Sequence, residues 1–403
     1  MSTTLLYRRF GIVGYHFVSQ TFVEDQTVFR IQQPRHKLRC SACGSEHVWA
    51  QGGVERGFQS LPIGKQPTHL LLKVPRVFCF GCGLTRQVKV GFADPKKHYT
   101  RALQRYVLEL CRHMTIQDVA DHLQLGWDTV KEIQAKHLQR TFGKPKLHKL
   151  KHIAIDEISI GKGHRYLTVV LNLVSGVVVF VGDGKGADAL IPFWKRLRRS
   201  HAKIEAVATD MSKAYIAAVR KNLPGAVHVF DHFHVIKLYN EKLSALRRTL
   251  FHELTAAGKK LLKGSRWLLL KNRENLDPKK KEPQRLERVL KLNEPLATAY
   301  YLKDYLRQIW HQSYKQVARL ILEDWLDLAR SSGIRILEQF ADTLEEYQEE
   351  ILNYYDCPIS TGPLEGTNTK IKVMSRQAYG YRDHEFFKLK ILGIHETKYA
   401  LVG

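Results

Sequence analysis

The sequence predicts a multidomain α/β plus α protein: a mixed β-sheet with helices on its faces, split by a long helical insertion and preceded by a cysteine ribbon and a helix-turn-helix. Three observations predict it. Two Cys-x-x-Cys pairs stand near the N-terminus, residues 151–235 alternate strand and helix patterns, and residues 236–355 show helical periodicity with almost no strand signal. With 403 residues, 44% of them hydrophobic, the chain can fill several cores.

Residues 1–35 alternate apolar and polar side chains, as in Thr27-Val28-Phe29-Arg30-Ile31, and read as strands. Cys40-Ser-Ala-Cys43 and Cys79-Phe-Gly-Cys82 follow, each ending on a glycine, Gly44 and Gly83. Four thiolates at this spacing suit a tetrahedral structural Zn2+, with His47 as a spare ligand. Two matched pairs speak against a single redox motif. The zinc is expected to fold a small ribbon too poor in core to stand alone. The remaining cysteines, Cys111 and Cys357, are expected in cores.

Residues 98–140 turn helical. Thr115 caps a short helix with Asp118 three residues on, and Ile116, Val119, Ala120 and Leu123 form its apolar face. After Gln124-Leu125-Gly126, a second helix runs from Trp127 to Arg140 with Val130 and Ile133 facing inward. Small Ala120 lets the two helices approach, which is the helix-turn-helix pattern. Gln124 stands where such turns prefer glycine. Trp127, Asp128, Thr129, Lys131 and Gln134 are the expected DNA contacts on the reading helix.

From residue 151 the order is β-β-β-α-β-α-β, with Ser175-Gly176 as a tight turn between antiparallel strands. Asp156 and Asp210 are read as ending the first and fourth strands, each an abrupt charge after buried apolar residues. Carboxylates there are costly unless a divalent cation lies between them. Glu365, on a helix after the Thr361-Gly362-Pro363 turn, would supply a third oxygen ligand. Three carboxylates suit Mg2+ or Mn2+. Alternative third acids are Glu157, Asp183 and Asp231, of which Glu157 points to the opposite sheet face from Asp156. In the insertion, Trp267, Trp310 and Trp325 fit either a core or base stacking, the core being the commoner use. Lys370, Lys372, Arg376 and Arg382 form a basic flank suited to phosphates.

The chain carries 64 Lys and Arg against 39 Asp and Glu, a formal net charge of +25. Such an excess favours a polyanionic partner. No apolar run approaches the roughly 20 residues that span a bilayer. The N-terminal stretch holds arginines inside its apolar run and does not read as a secretory signal.

The segments IAIDEISIGKGHRYLTVVLNLVSG, AVATDMSKAY, VHVFDHFHVIK and ISTGPLEGTNTKIKVMSRQAYGYRD resemble the insertion-sequence transposases of the IS-L-three family. The resemblance implies a zinc-ribbon DNA-binding domain (1–95), a helix-turn-helix (98–142), a ribonuclease-H-like catalytic core in two parts (150–236 and 358–403) and a helical insertion (237–357). It maps the catalytic acids onto Asp156, Asp210 and Glu365, and gives Asp231 and His234 an accessory role. It also implies double-stranded DNA, both transposon ends and target, as the partner, a homo-oligomer with a dimer favoured, and action at the bacterial nucleoid in the cytoplasm. Catalytically inactive descendants that only bind DNA, and ribonuclease-H-like nucleases, are the rival functions. Two positions depart from the family pattern: Thr361 replaces an expected asparagine, and Asp231 stands where cysteine or aspartate occurs.

Overall fold

The structure, a computed structural model, describes residues 3–161 and 165–396. It divides into two compact units: the described residues up to Lys144 with those from Arg376 onward, and residues 145–375.

The first unit opens with helix α1 (Thr3–Phe10), where strands were expected; Leu6 and Phe10, one turn apart, are both buried. Strands β1 (His16–Val23), β2 (Gln26–Gln32), β3 (Val48–Ile63) and β4 (Gln66–Cys79) form a sheet in the order β1-β2-β4-β3, and β5 (Thr85–Gln87) pairs with β4. The long β3–β4 hairpin turns at Gly64, whose φ of +61° suits glycine. Its register sets Val48 opposite Cys79. The wide gap between the two cysteine pairs is therefore the length of the hairpin. Phe29, Phe58 and Leu70 are fully buried beside Phe10, Leu72 and Val77. The ribbon thus has a core of its own, contrary to the expectation that zinc alone would fold it.

Helices α2 (Arg101–Leu110), α3 (Ile116–Leu123) and α4 (Trp127–Phe142) follow. They are bonded into the same unit: Gln59 of β3 donates to the Leu123 carbonyl at 2.8 Å, and its backbone N–H donates to His98. Ribbon and helix-turn-helix are not separate bodies. Thr115 makes the expected reciprocal capping box with Asp118. Gln124 adopts φ +51°, ψ +45°, the left-handed conformation that explains the preference for glycine there. For a residue with a side chain this costs about 1–2 kcal/mol. Gln124→Gly is expected to stabilise the protein by about 0.5–1 kcal/mol after the entropy of the unfolded chain is counted, read as a higher urea midpoint.

The second unit holds β6 (His152–Gly161), β7 (Arg165–Asn172), β8 (Val178–Asp183), α5 (Ile191–Ser200), β9 (Ala206–Thr209), α6 (Lys213–Asn222) and β10 (Val227–Phe230), the element order expected. His164, the expected start of the second strand, lies outside the described residues. The strand order is β10-β9-β6-β7-β8, parallel from β10 to β6 and antiparallel from β6 to β8. It is the ribonuclease-H-like mixed sheet that the motifs implied. Ile153, Ile155 and Val207 pack against Phe193, Trp194, Tyr215 and Val219 of α5 and α6.

The insertion comprises α7 (His232–Glu253), α8 (Ala256–Leu262), α9 (Arg266–Leu270), α10 (Glu282–Leu292), α11 (Glu294–Gln308), α12 (Lys315–Ser331), α13 (Arg335–Glu346) and α14 (Gln348–Leu352). Tyr239, Trp325 and Phe340 centre its core. Trp325 is fully buried, its indole N–H on the Leu302 carbonyl at 2.8 Å, so it is a packing residue; Trp310 is half-buried and Trp267 exposed. The insertion returns to β10, where Asn353 donates to the His228 carbonyl at 2.9 Å and Arg220 pairs with Glu350. Helix α15 (Gly362–Gln377) then carries Glu365.

The chain ends on α16 (His384–Leu392), which packs on α4 in the first unit. Lys131 pairs with Asp383 at 2.8 Å, and a Cβ on Gly393 would meet Leu138 at 2.7 Å. The described residues from Arg376 onward group with the N-terminal helices in one compact unit; residues 397–403 lie outside the described residues. No helix among the described residues is long and apolar enough to cross a membrane.

Candidate active site and metal centre

Asp156 does not end its strand, as expected, but sits midway along β6, opposite Val169 of β7. On its other side β9 stops at Thr209, so β6 loses that neighbour and Asp156 stands beside the open end. Ala154 pairs with Ala208, and two residues on in both chains brings Asp156 level with Asp210. Ala208 likewise pairs with Val229, which sets Asp231 level with Asp210. Asp210 and Asp231 each stand one residue past the end of their strand, β9 and β10, so both lie with Asp156 at the carboxyl edge of the parallel strands. The crevice beyond the carboxyl ends of parallel strands is where α/β sheets hold their ligands. By alternation, Asp156 points away from the α5–α6 core. Glu157 points toward it, where the Tyr215 hydroxyl donates to it at 3.4 Å.

Each carboxylate is held. Asp156 accepts the backbone N–H of Glu157 at 2.7 Å and the side-chain amide of Asn368 at 2.9 Å. Asp210 accepts the Ser212 N–H at 3.0 Å, opening α6. Asp231, almost wholly buried, caps α7 through the Phe233 N–H at 3.2 Å and accepts the Thr361 hydroxyl. Burial pushes the Asp156 carboxyl above the ordinary carboxylate range, and the charge of Asp210 adds to this; the Glu157 N–H and His234 pull the other way. A half-buried acid beside a like charge is a cation-seeking site, and its all-oxygen donors suit Mg2+ or Mn2+.

Glu365 lies in the first turn of α15 and is exposed. Asn368 is three residues further on, the same helical face, and it is the residue that reaches Asp156. The Glu365 turn is anchored from below as well: its N–H donates to the Thr361 carbonyl at 2.9 Å, and Thr361 bonds Asp231. The two positions that depart from the family motif therefore touch each other. Asp156, Asp210 and Glu365 do not form a tight three-donor cluster. Among the described residues only the four cysteines do that, with all sulfurs within 4.8 Å. Asp183 ends β8 and is exposed.

In the cysteine cluster, Cys40 lies 3.7 Å from Cys82 and Cys43 lies 3.5 Å from Cys79, sulfur to sulfur. A tetrahedron with roughly 2.3 Å bonds to zinc has edges of about 3.8 Å, so the thiols are pre-set for the ion. The two knuckles are alike: Gly44 donates to the Cys40 carbonyl and Gly83 to that of Cys79, at φ of +79° and +68°. The backbone N–H groups of Cys43 and Ala42 draw the Cys40 thiol down to about 6. Against the Leu84 N–H, burial and the neighbouring thiols push Cys82 up to about 12. Four thiols this close cannot all ionise without a cation. Cys111 is buried, while Cys357 is only half-buried.

Residues 153–391 match a family model described as a transposase, residues 88–138 the helix-turn-helix domain of transposase family ISL3, and residues 36–82 the zinc-finger of transposase IS204/IS1001/IS1096/IS1165. The chain belongs to the ISL3 transposase family. This transposase is 34% identical over 388 residues to the transposase for insertion sequence element IS1001 of Bordetella parapertussis, covering 94% of this chain and 95% of that one. It is 28% identical over 370 residues to the transposase for insertion sequence element IS1557 of Mycobacterium tuberculosis, covering 85% and 82%. The Drosophila P element transposase strand transfer complex aligns at 12% identity and a TM-score of 0.35, over 73% of this chain and 92% of that one, too loosely to carry an argument.

On α4, the second helix of the transposase's helix-turn-helix, Trp127 and Asp128 are exposed and Thr129 is half-buried. Gln134, expected to contact DNA, is only 6% exposed. Lys131 is partly covered, held by Asp383 and lying 5.7 Å from the Phe386 ring. Packing of α16 removes this part of α4 from the surface, leaving Lys136 and Arg140 exposed further along. On α15 and beyond, Lys372, Arg376 and Arg382 are exposed and Lys370 is half-buried. Sequence reasoning missed Asn368. Its signal was its place in Pro363-Leu364-Glu365-Gly366-Thr367-Asn368, one helical turn after the catalytic candidate.

Proposed function

We propose that this transposase binds double-stranded DNA at the ends of its element and catalyses strand cleavage and strand transfer through Asp156, Asp210 and Glu365. The observation that carries the reading is that Asp156 and Asp210 lie as electrostatic neighbours where β9 stops beside β6, with the Glu365 helix tied to Asp156 by Asn368. The three carboxylates would hold Mg2+ or Mn2+, which when bound activates the attacking oxygen and steadies the leaving one in phosphoryl transfer. Asn368 fixes the orientation of the Asp156 carboxylate, and Thr361 with Asp231 fixes the start of the Glu365 helix. His234, in the first turn of α7, and Asp231, which caps that helix, complete the accessory set. Water or a 3′-hydroxyl is the nucleophile, so no protein–DNA covalent bond forms.

The zinc ribbon and helix-turn-helix supply end recognition, with Trp127, Asp128 and Thr129 at the start of α4 nearest the bases and Lys372, Arg376 and Arg382 on phosphates. Zn2+ on Cys40, Cys43, Cys79 and Cys82 is structural. Joining two ends calls for two active sites, so a homodimer acting at the nucleoid is the working assembly. The test is incubation of the purified, zinc-loaded protein with a supercoiled plasmid carrying the element ends, with and without Mg2+. Mg2+-dependent nicking at the ends is expected. End binding without any nicking would assign the chain to the DNA-binding regulators, and cleavage of RNA–DNA hybrids alone to the nucleases.

A further inference from the structure

The insertion carries a basic cleft built from α7 and α9, with no residue in common with the carboxylate site. Its volume is about 620 Å³, and Lys237, Asn240, Glu241, Arg247, Arg248 and Arg266 line it. Four cations face one acid. Among the described residues, none of the four forms an ion pair with a carboxylate. Arg248 reaches only the Ser244 carbonyl, and Arg266 lies over the Trp267 ring at 5.1 Å.

Two buried polar atoms on this wall, Arg247 Nε and Asn240 Oδ1, have no hydrogen-bond partner. Burial draws the Arg247 guanidinium below its usual range, and the charges of Arg266 and Arg248 add to the effect. Clustered, partly desolvated and unpaired cations oppose the fold unless an anion completes them. Guanidinium forks select phosphate geometry. From Lys237 to Arg248 the row spans about 16 Å of helix, over which one duplex strand presents roughly four or five phosphates. A free phosphate would fill only a fraction of that row. Trp267, 68% exposed beside Arg266, offers a stacking face at the rim.

We propose that the α7–α9 cleft binds the phosphodiester backbone of a DNA strand, with Arg247 and Arg266 as its main contacts. This rests on the reading of the chain as a DNA-joining enzyme and adds a contact surface outside the N-terminal unit.

The test measures binding of the full-length protein to a fluorescent end duplex without Mg2+, over a series of KCl concentrations. The variants are Arg247→Met with Arg266→Ala, the single Arg266→Gln at an exposed position, and Lys279→Ala with Lys280→Ala as an equal-charge control elsewhere on the insertion. The double cleft variant is expected to flatten the slope of log K against log salt by roughly two and to bind about tenfold more weakly at 0.1 M, and Arg266→Gln to flatten it by roughly one. Without DNA, its melting temperature should not fall, because mutual repulsion has been relieved. Cleft variants with the wild-type slope, or a control that flattens it equally, overturn the cleft while leaving DNA binding intact. A wild-type protein that binds no duplex overturns both the cleft and the functional reading.

Discussion

Asp156→Asn is expected to lower end nicking by at least about a thousandfold while leaving duplex binding unchanged, because a ligand to the activating cations is lost and the DNA-reading surfaces are not. Asp210→Asn and Glu365→Gln should match it. The same substitution should stabilise the metal-free protein. In the fold, burial and Asp210 raise the Asp156 carboxyl. The protonated acid therefore contributes stability that is fully present below its unfolded value and is lost as pH rises through its folded value. The variant, which carries no charge there, gains most over wild type at neutral pH and nothing in acid. Thermal melts across pH should show that divergence, and Mg2+ should raise the melting point of wild type alone. Asn368→Ala, which frees rather than removes the ligand, should cost about 10–100-fold and raise the Mg2+ requirement. Nicking by Asp156→Asn near the wild-type rate would remove Asp156 from the chemistry.

Which parts of this site could be read from the chain follows from the range of the forces involved. The order of elements along the chain came from local alternation, and the Ser175-Gly176 turn left the antiparallel arrangement of β7 and β8 as the only one. The Thr115 cap and the two glycine-ended knuckles are likewise local chemistry. The end of β6 was misjudged because Ile158-Ser159-Ile160 continues the alternation past Asp156, and only the shorter β9 reveals the open side. Gln134 lies one turn after Val130, on the buried face of α4, and only its polar side chain made it read as exposed. The ribbon's core was overlooked for a similar reason. Phe29, Phe58 and Leu70 belong to strands distant in sequence that meet only through the sheet order. Asp231 and Thr361 each looked like a departure from a motif; their hydrogen bond makes them one unit.

That core decides what zinc removal should do. In isolated finger peptides a structural zinc contributes about 10–16 kcal/mol and the apo chain is unfolded. Here the knuckles sit at the open end of the β3–β4 hairpin, while the buried cluster of Phe29, Phe58, Leu70 and Leu72 lies along its length. Cys43→Ser, or a strong chelator, is expected to abolish zinc binding and melt only the hairpin end. Hydrogen exchange should lose protection at residues 40–48 and 79–87 and keep it where Val54 pairs with Val74 and Gly57 with Leu71. Zinc should also be released as pH falls, since the ligands must be thiolates. Duplex binding should weaken while Mg2+-dependent stabilisation at Asp156 persists, because the carboxylates belong to the other compact unit. Loss of exchange protection throughout the β3–β4 hairpin on chelation would show the opposite: that the ion holds the whole sheet, and that the buried phenylalanines cannot do so without it.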